Sequence, residues 1–133
     1  MTATAIDPVL DPPAGPTHLP QEAEHLRISL SHTGGGAMVR LAGELDIAGA
    51  PALTALLAHC VEQGRDIAVD AADLTFIDAA GIRPLADAQA RCRRQGRSFR
   101  LRTASAAVRR VVTLTGLADR LFGTADAART VLA

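Results

Sequence analysis

From about residue 25, segments with the apolar spacing of a β-strand alternate with segments that have the apolar spacing of an α-helix. This alternation limits the fold more than any other feature. Leu26, Ile28 and Leu30 alternate with polar residues, which predicts a half-buried strand. Three consecutive glycines, Gly34–Gly36, allow a turn that needs positive φ. A second strand is predicted over 38–43, so the two strands form a hairpin.

Two segments whose apolar residues have the spacing of a helix follow the hairpin. The first predicted helix has Gly49 near its cap, Pro51 in its first turn and Gly64 as its stop. Its apolar face is formed by Leu53, Leu56, Leu57, Cys60 and Val61. The second helix is predicted to begin close to Ala80 or Gly81, because Pro84 is tolerated in a first turn, and to end at Gly96.

The remaining segments complete an alternating order. Asp66–Asp70 is predicted as a short core strand, and Phe99 and Leu101 mark another. Ser105 is the predicted N-cap of a helix that Gly116 breaks, and a last short helix is predicted from Thr124 to Leu132. Alternating strands and helices predict an α/β fold, whose mixed sheet has parallel crossovers and opens with one antiparallel hairpin.

Composition sets the size and kind of core. The chain has 133 residues, 48% of them hydrophobic, with three Phe and no Trp or Tyr, so an aliphatic core of one domain is expected. Five of the seven prolines lie in the first twenty residues. Residues 1–24 are therefore predicted to be a flexible arm, and residues 25–133 a single domain.

The apolar runs are short. None approaches the ~18 residues that a membrane span needs, and the N-terminus lacks the pattern of a signal peptide. A cytoplasmic protein without membrane insertion is expected.

Charge is balanced overall but not locally. Fourteen basic and fourteen acidic residues cancel, and every basic side chain is Arg. The stretch from Arg91 to Arg110 holds eight arginines and no acid. A solvated face, a contact with an acidic protein surface and a nucleic-acid contact all remain open for this strip. A nucleic-acid partner is not expected, because the chain is neutral and offers no aromatic stacking platform.

Reactive residues are sparse and scattered. Asp70, Asp73 and Asp78 do not make a phosphoacceptor site, because such a site also needs adjacent carboxylates on a first strand and a lysine. His59 and Cys60 are neighbours on a helix and point in different directions. Cys60 and Cys92 fall on apolar helix faces and are expected to be buried. No catalytic residue, metal site or cofactor is predicted, so the chain is not expected to be an enzyme.

The stretch FIDAAGI joins a strand to the start of a helix. Functional crevices of open α/β sheets tend to lie at this kind of junction. Asp78 is placed to accept the free N–H groups of the helix start. Spacing alone leaves open whether Asp78 is only a cap or also has a functional role.

Three stretches carry a resemblance to a known family: VRLAGELDIAGAPAL, IAVDAADLTFIDAAGIRPL and SFRLRTASAAVRRVVTLTGLADRLF. Together, in this order from about Leu26 to Phe122, they resemble the STAS domain, a family that includes bacterial anti-sigma-factor antagonists. The resemblance implies a mixed four- or five-stranded sheet with helices packed on one side.

The resemblance also implies a switch, and this chain departs from it. The turn written here as DAAG is typically Asp-Ser-Ser-Gly in the antagonists, and the serine matching Ala80 is phosphorylated by an anti-sigma factor that is also a kinase. Ala79 and Ala80 have no hydroxyl. We therefore expect either an antagonist that is always able to bind its partner or a protein that uses the same fold for a function without a phosphorylation switch. Thr75 is a weaker candidate acceptor, expected to be a structural strand residue.

The family pattern predicts where a partner binds. The predicted contact residues are those of the turn and of the GELD segment: Asp78, Ala79, Ala80, Gly81, Ile82, Arg83, Glu44 and Asp46. The implied partner is an anti-sigma factor of the serine-kinase type or a similar regulatory protein. The alternative is a STAS scaffold subunit of a larger signalling or transport assembly, and self-association stays open.

Overall fold

The computed structural model describes residues 17–18 and 25–123. Nine elements follow one another in these ranges. The strands are β1 Thr17–His18, β2 Leu26–Thr33, β3 Gly36–Leu45, β4 Asp66–Ile77 and β5 Phe99–Ala104. The helices are α1 Ala50–Glu62, α2 Ala79–Arg94, α3 Ala106–Leu114 and α4 Ala118–Phe122.

The five strands form one mixed sheet in the order β1-β2-β3-β4-β5. β1 and β2, and β2 and β3, pair antiparallel, whereas β3–β4 and β4–β5 pair parallel. The helices α1 and α2 supply the two crossovers that parallel neighbours require. The predicted hairpin and the predicted α/β mixed sheet are therefore confirmed.

One face of this sheet is buried and the other is exposed. Strand residues that share a face by register, such as Ile28, Val39 and Val69, are almost fully buried. Residues of alternate parity, such as Arg27 and Arg40, are exposed. Since only one of the two sets of alternate strand residues is covered, the helices pack on one side of the sheet, as predicted. In the described ranges every buried core residue is hydrophobic.

Strand β4 is longer than predicted. The expected strand ended at Asp70, but the observed one continues to Ile77. Its register with both neighbours shifts near Asp70. There the Asp70 carboxylate accepts a hydrogen bond from Ala72 N–H (3.0 Å) and pairs with Arg40 (3.3 Å). This irregularity interrupts the alternation of apolar residues, so the pattern hid the second half of the strand.

The position of Pro84 was predicted wrongly. Helix α2 begins at Ala79, so Pro84 is its sixth residue and lies beyond the first turn. Proline has no N–H, so the carbonyl of Ala80 lacks its helical i+4 donor. Pro84 is buried, and its packing against the core offsets the lost bond.

Two short elements were not anticipated. Thr17–His18 lies inside the stretch predicted to be a flexible arm, and it pairs with Ser29 and Leu30 of β2. Helix α4 begins at Ala118, two residues after Gly116, the predicted break. The predicted helix from Thr124 to Leu132 lies outside the described residues.

Within residues 17–18 and 25–123, no helix has the length and apolarity that a bilayer crossing requires.

The stability of the fold should depend on the aliphatic layer between helices and sheet. Leu53→Ala, on α1 and fully buried, is expected to lower the free energy of unfolding by about 2–5 kcal/mol because it leaves a cavity. Leu114→Ala, also on a helix but 78% exposed, is the matched control and should change it by less than about 0.5 kcal/mol. Urea unfolding measures both. Equal losses in the two variants would contradict this assignment of the core.

Candidate functional site

The DAAG turn and the GELD segment meet at one end of the sheet. Leu45 and Ile77 are the last paired residues of β3 and β4. Asp46 follows Leu45, and Asp78 follows Ile77 at the start of α2. Parallel strands end at the same edge, so the two predicted segments are brought together as the sequence suggested.

Asp78 caps α2. Its backbone is extended, and its carboxylate accepts a hydrogen bond from Gly81 N–H at 3.0 Å. Its carbonyl accepts the first helical bond, from Ile82 N–H at 2.9 Å. The predicted capping role is therefore confirmed, and a functional role beyond it stays a prediction. An acceptor here satisfies one of the N–H groups that every helix start leaves without an internal partner.

Gly81 is required by the close packing of α2 on β3. A Cβ at this position would overlap the carbonyl oxygen of Leu45 and lie 2.8 Å from its Cγ. Only a residue without a side chain lets the first turn of α2 sit against the end of β3. The glycine thus fixes the distance between the DAAG turn and the GELD segment.

The GELD segment is shaped by its own backbone. The Asp46 carboxylate accepts hydrogen bonds from Ala48 N–H (3.0 Å) and Gly49 N–H (3.3 Å), so it holds the turn that leads into α1. Glu44 N–H donates to the carbonyl of His25 at 2.8 Å, which ties this end of β3 to the start of β2. The Glu44 side chain is exposed. Of these two acids, Asp46 has a structural role and Glu44 is available to a partner.

Burial divides the predicted contact residues into three classes. Ala79, Arg83 and Glu44 are exposed; Asp46, Asp78 and Ala80 are half-buried; Gly81 and Ile82 are buried. Ile82 is only 4% exposed and belongs to the core. The two buried residues therefore support the turn from below, and their contact with a partner stays a prediction.

Two exposed apolar side chains at this edge were missed by the sequence analysis. Ile47, next to Asp46, is 76% exposed, and Phe76, two residues before Asp78, is 45% exposed. Phe76 is in register with Glu44 on the neighbouring strand. Phe76 could not be identified from sequence. The irregularity near Asp70 in β4 changes which alternate residues of this strand point to the exposed face of the sheet. We call the predicted contact residues together with Ile47 and Phe76 the docking face.

The chemistry available around the docking face is limited. The hydroxyl of Thr75 donates to the carbonyl of Gly43 at 3.2 Å, so it links β4 to β3 as a structural threonine would. The described residues contain no group of three or more His, Cys, Asp or Glu side chains placed to hold a metal ion.

The cysteines lie inside the protein, as predicted. Cys60 and Cys92 are buried on α1 and α2. Burial raises the pKa of Cys60 to about 11 and also raises the pKa of Cys92. Both thiols are therefore protonated near neutral pH and are poor nucleophiles. His59, beside Cys60 in the sequence, is exposed on the other side of the helix.

Known proteins resemble this chain over most of its length. A family model described as "Mlab, STAS domain" matches residues 28–123. The anti-sigma-B factor antagonist of Bacillus subtilis (strain 168) is 27% identical over 95 residues, which cover 71% of this chain and 87% of that protein.

Solved structures share the fold. An anti-sigma factor antagonist from Mycobacterium paratuberculosis superposes with a TM-score of 0.67 at 24% identity and covers 88% of this chain and 100% of its own. The anti-sigma factor antagonist SpoIIAA in its unphosphorylated form gives a TM-score of 0.64 at 22% identity, over 71% of this chain and 85% of its own. At these identities the likeness establishes the fold.

The packing of Gly81 on Leu45 gives a direct test of how the docking face is built. In a helix, Ala is intrinsically favoured over Gly by about 1 kcal/mol. Gly81→Ala is nevertheless expected to lower the free energy of unfolding by about 1–3 kcal/mol, because the new methyl group overlaps β3. Gly35→Ala, with open space around it, is the control and should be nearly neutral. A Gly81→Ala protein as stable as the parent in urea unfolding would refute the close approach.

Proposed function

This chain belongs to the STAS domain family, and we propose that it acts as an anti-sigma-factor antagonist that binds its partner through the docking face. The observation that carries the proposal is the partly exposed start of α2 at the edge of the sheet, where exposed Phe76 precedes the DAAG turn and exposed Ile47 follows the GELD segment. Anti-sigma factor antagonists among the relatives and the solved structures support it.

The docking face has the composition of a protein-binding surface. Exposed apolar side chains such as Ile47 and Phe76 lose water on binding and stabilise a complex in proportion to the area that they bury. Charged side chains at the margin, Glu44 and Arg83, give orientation and selectivity. We infer a partner of the serine-kinase type or a similar regulatory protein.

The partner is held without a covalent switch. In the antagonists that this chain resembles, a phosphoserine at the position of Ala80 adds a charge of about −1.5 to −2. Here that position is the second residue of α2, two residues after the Asp78 carboxylate, and carries only a methyl group. Phosphorylation cannot place a second negative charge beside Asp78, so the complex is not released in this way.

The chain itself performs no reaction in this proposal. The Thr75 hydroxyl is engaged with the carbonyl of Gly43, and the Cys60 thiol is buried and protonated near neutral pH. The regulated process is transcription, so we place the protein in the cytoplasm.

A STAS scaffold subunit of a larger assembly is the second candidate. The two alanines favour it as much as they favour a permanent antagonist, because a scaffold needs no switch. A serine-kinase anti-sigma factor would not bind a scaffold of this kind, so the experiments below separate the two candidates.

The missing switch can be restored by one hydroxyl. Incubated with a serine-kinase anti-sigma factor from the same host and radiolabelled ATP, the unaltered chain is expected to take no phosphate, whereas Ala80→Ser should be labelled. Ala79→Ser adds the same hydroxyl one residue earlier, on a different side of the helix, and serves as the control that stays unlabelled. Phosphate on the unaltered chain, at Thr75 for example, would contradict the proposal.

The apolar part of the docking face should carry much of the affinity. Ile47→Ala is expected to weaken the complex about tenfold or more in calorimetry, because an exposed anchor that becomes buried is a typical hot spot. Leu114→Ala removes a similarly exposed aliphatic side chain at the end of α3, which is not part of the docking face, and should change the dissociation constant less than about twofold. Equal effects of the two variants would place the contact elsewhere.

A further inference from the structure

A cleft at the other end of α2 collects positive charge. It is an open cleft of about 360 Å³ between the last turns of α2 and helix α4. We call it the arginine cleft, and its lining consists of Gln89, Ala90, Arg93, Arg94 and Arg120. Three arginine side chains, all of them exposed, line this space, and no carboxylate lines it.

The convergence of these arginines is a product of the tertiary structure. Arg93 and Arg94 stand in the last turn of α2, where the helix dipole favours cations. Arg120 comes from α4, 26 residues later in the chain, and gains nothing from the dipole of α2. All three side chains are exposed, so water and salt screen most of their mutual repulsion, and a bound anion would offset the remainder.

Protein carboxylates do not supply that compensation in the part of the chain that the structure describes. There, none of the three guanidinium groups forms an ion pair or a side-chain hydrogen bond. Asp87 and Asp119 are near in sequence, but neither lines the cleft. The donors of the cleft are therefore available to a ligand.

We propose that the arginine cleft binds a phosphomonoester group. A phosphomonoester carries a charge of about −1.5 to −2 at neutral pH and three acceptor oxygens. A guanidinium presents a planar fork of N–H donors that matches two phosphate oxygens at once, and three such groups match the charge and acceptors of the dianion. The volume is at the lower end of the range of about 300–1,000 Å³ for small-ligand sites, which suits a small phosphorylated molecule or headgroup.

The surrounding surface attracts the same ligand. The strip from Arg91 to Arg110 contains eight arginines and no acid. Within this strip Arg97, in the turn that follows α2, is exposed near the cleft, whereas Arg102 lies on the open face of the sheet. A local positive potential in a chain of zero net charge raises the rate at which anions reach the cleft and makes that rate depend on salt.

The arginine cleft is separate from the docking face. Ala79 and Arg93 are fourteen residues apart on α2, a distance of about 21 Å along the axis. A ligand in the cleft and a partner at the docking face can therefore be bound together. The inference does not depend on the proposed function and can fail independently of it.

The test is a titration of the full chain with glycerol 3-phosphate and, separately, with inorganic phosphate, at low salt and pH 7.5. Binding is measured by calorimetry and by changes in amide NMR chemical shifts. We expect saturable binding with the largest shifts around residues 89–94 and 118–122. Arg120→Gln should weaken binding at least tenfold. Arg27→Gln removes the same charge from the exposed face of the sheet and should weaken it less than twofold. Absence of saturation, or equal effects of both variants, would overturn the proposal.

A second experiment distinguishes a lipid headgroup from a soluble metabolite as the source of the phosphomonoester. Phosphatidylcholine vesicles with and without phosphatidic acid present the same phosphomonoester as a lipid headgroup. Binding to the phosphatidic acid vesicles that Arg120→Gln abolishes and Arg27→Gln preserves would identify a lipid source, and binding of the soluble ester alone would identify a metabolite. Vesicle binding that both variants reduce equally reflects general attraction to a negative surface and would count against a site. Lowering the pH from 7.5 to 5 should weaken site binding, because the second pKa of the ester is about 6.

Discussion

The approach of α2 to the end of β3 is the constraint on which the rest of the arrangement depends. Gly81 lies so close to Leu45 that a methyl group there would overlap the Leu45 carbonyl. With the helix start held at this distance, Asp78 can cap it while the GELD segment lies beside it. A larger residue would move the helix outward and separate the two halves of the docking face. The turn is thus positioned by close packing and by the hydrogen bond from Gly81 N–H to the Asp78 carboxylate.

The one-sided sheet gives the two ends of α2 different surroundings. Its apolar side is held in the core by Ile82, Leu85 and Cys92, so only the ends and the outer side reach solvent. The first turn borders the carboxyl ends of β3 and β4, where the apolar side chains of Ile47 and Phe76 are exposed. The last turn borders α4 and is surrounded by arginine, which favours an anion. One helix therefore separates the proposed docking face from the arginine cleft.

The sequence patterns predicted regular elements well and irregular ones poorly. Leu26, Ile28 and Leu30 revealed their strand because one face is uniformly buried, and Ser105 was found as a cap because its hydroxyl accepts from Val108 N–H as expected. The second half of β4 was missed because the bulge at Asp70 breaks the period that identifies a strand. Pro84 was misplaced because proline was assumed to need a first turn, whereas burial in the core offsets its missing donor. At the docking face, the DAAG and GELD segments were predicted, but the exposure of Phe76 was not.

The sequence by itself determined the class of fold, the aliphatic core and the absence of a hydroxyl in the DAAG turn, because these follow from residue type and local spacing. Only the tertiary structure decided which apolar side chains remain in water, that Gly81 and Ile82 serve packing, and that Arg120 joins Arg93 and Arg94. Exposure and convergence depend on contacts between residues far apart in the chain. The periodicity of apolar residues depends only on residues within the same helix or strand. It therefore contains no information about contacts between distant parts of the chain.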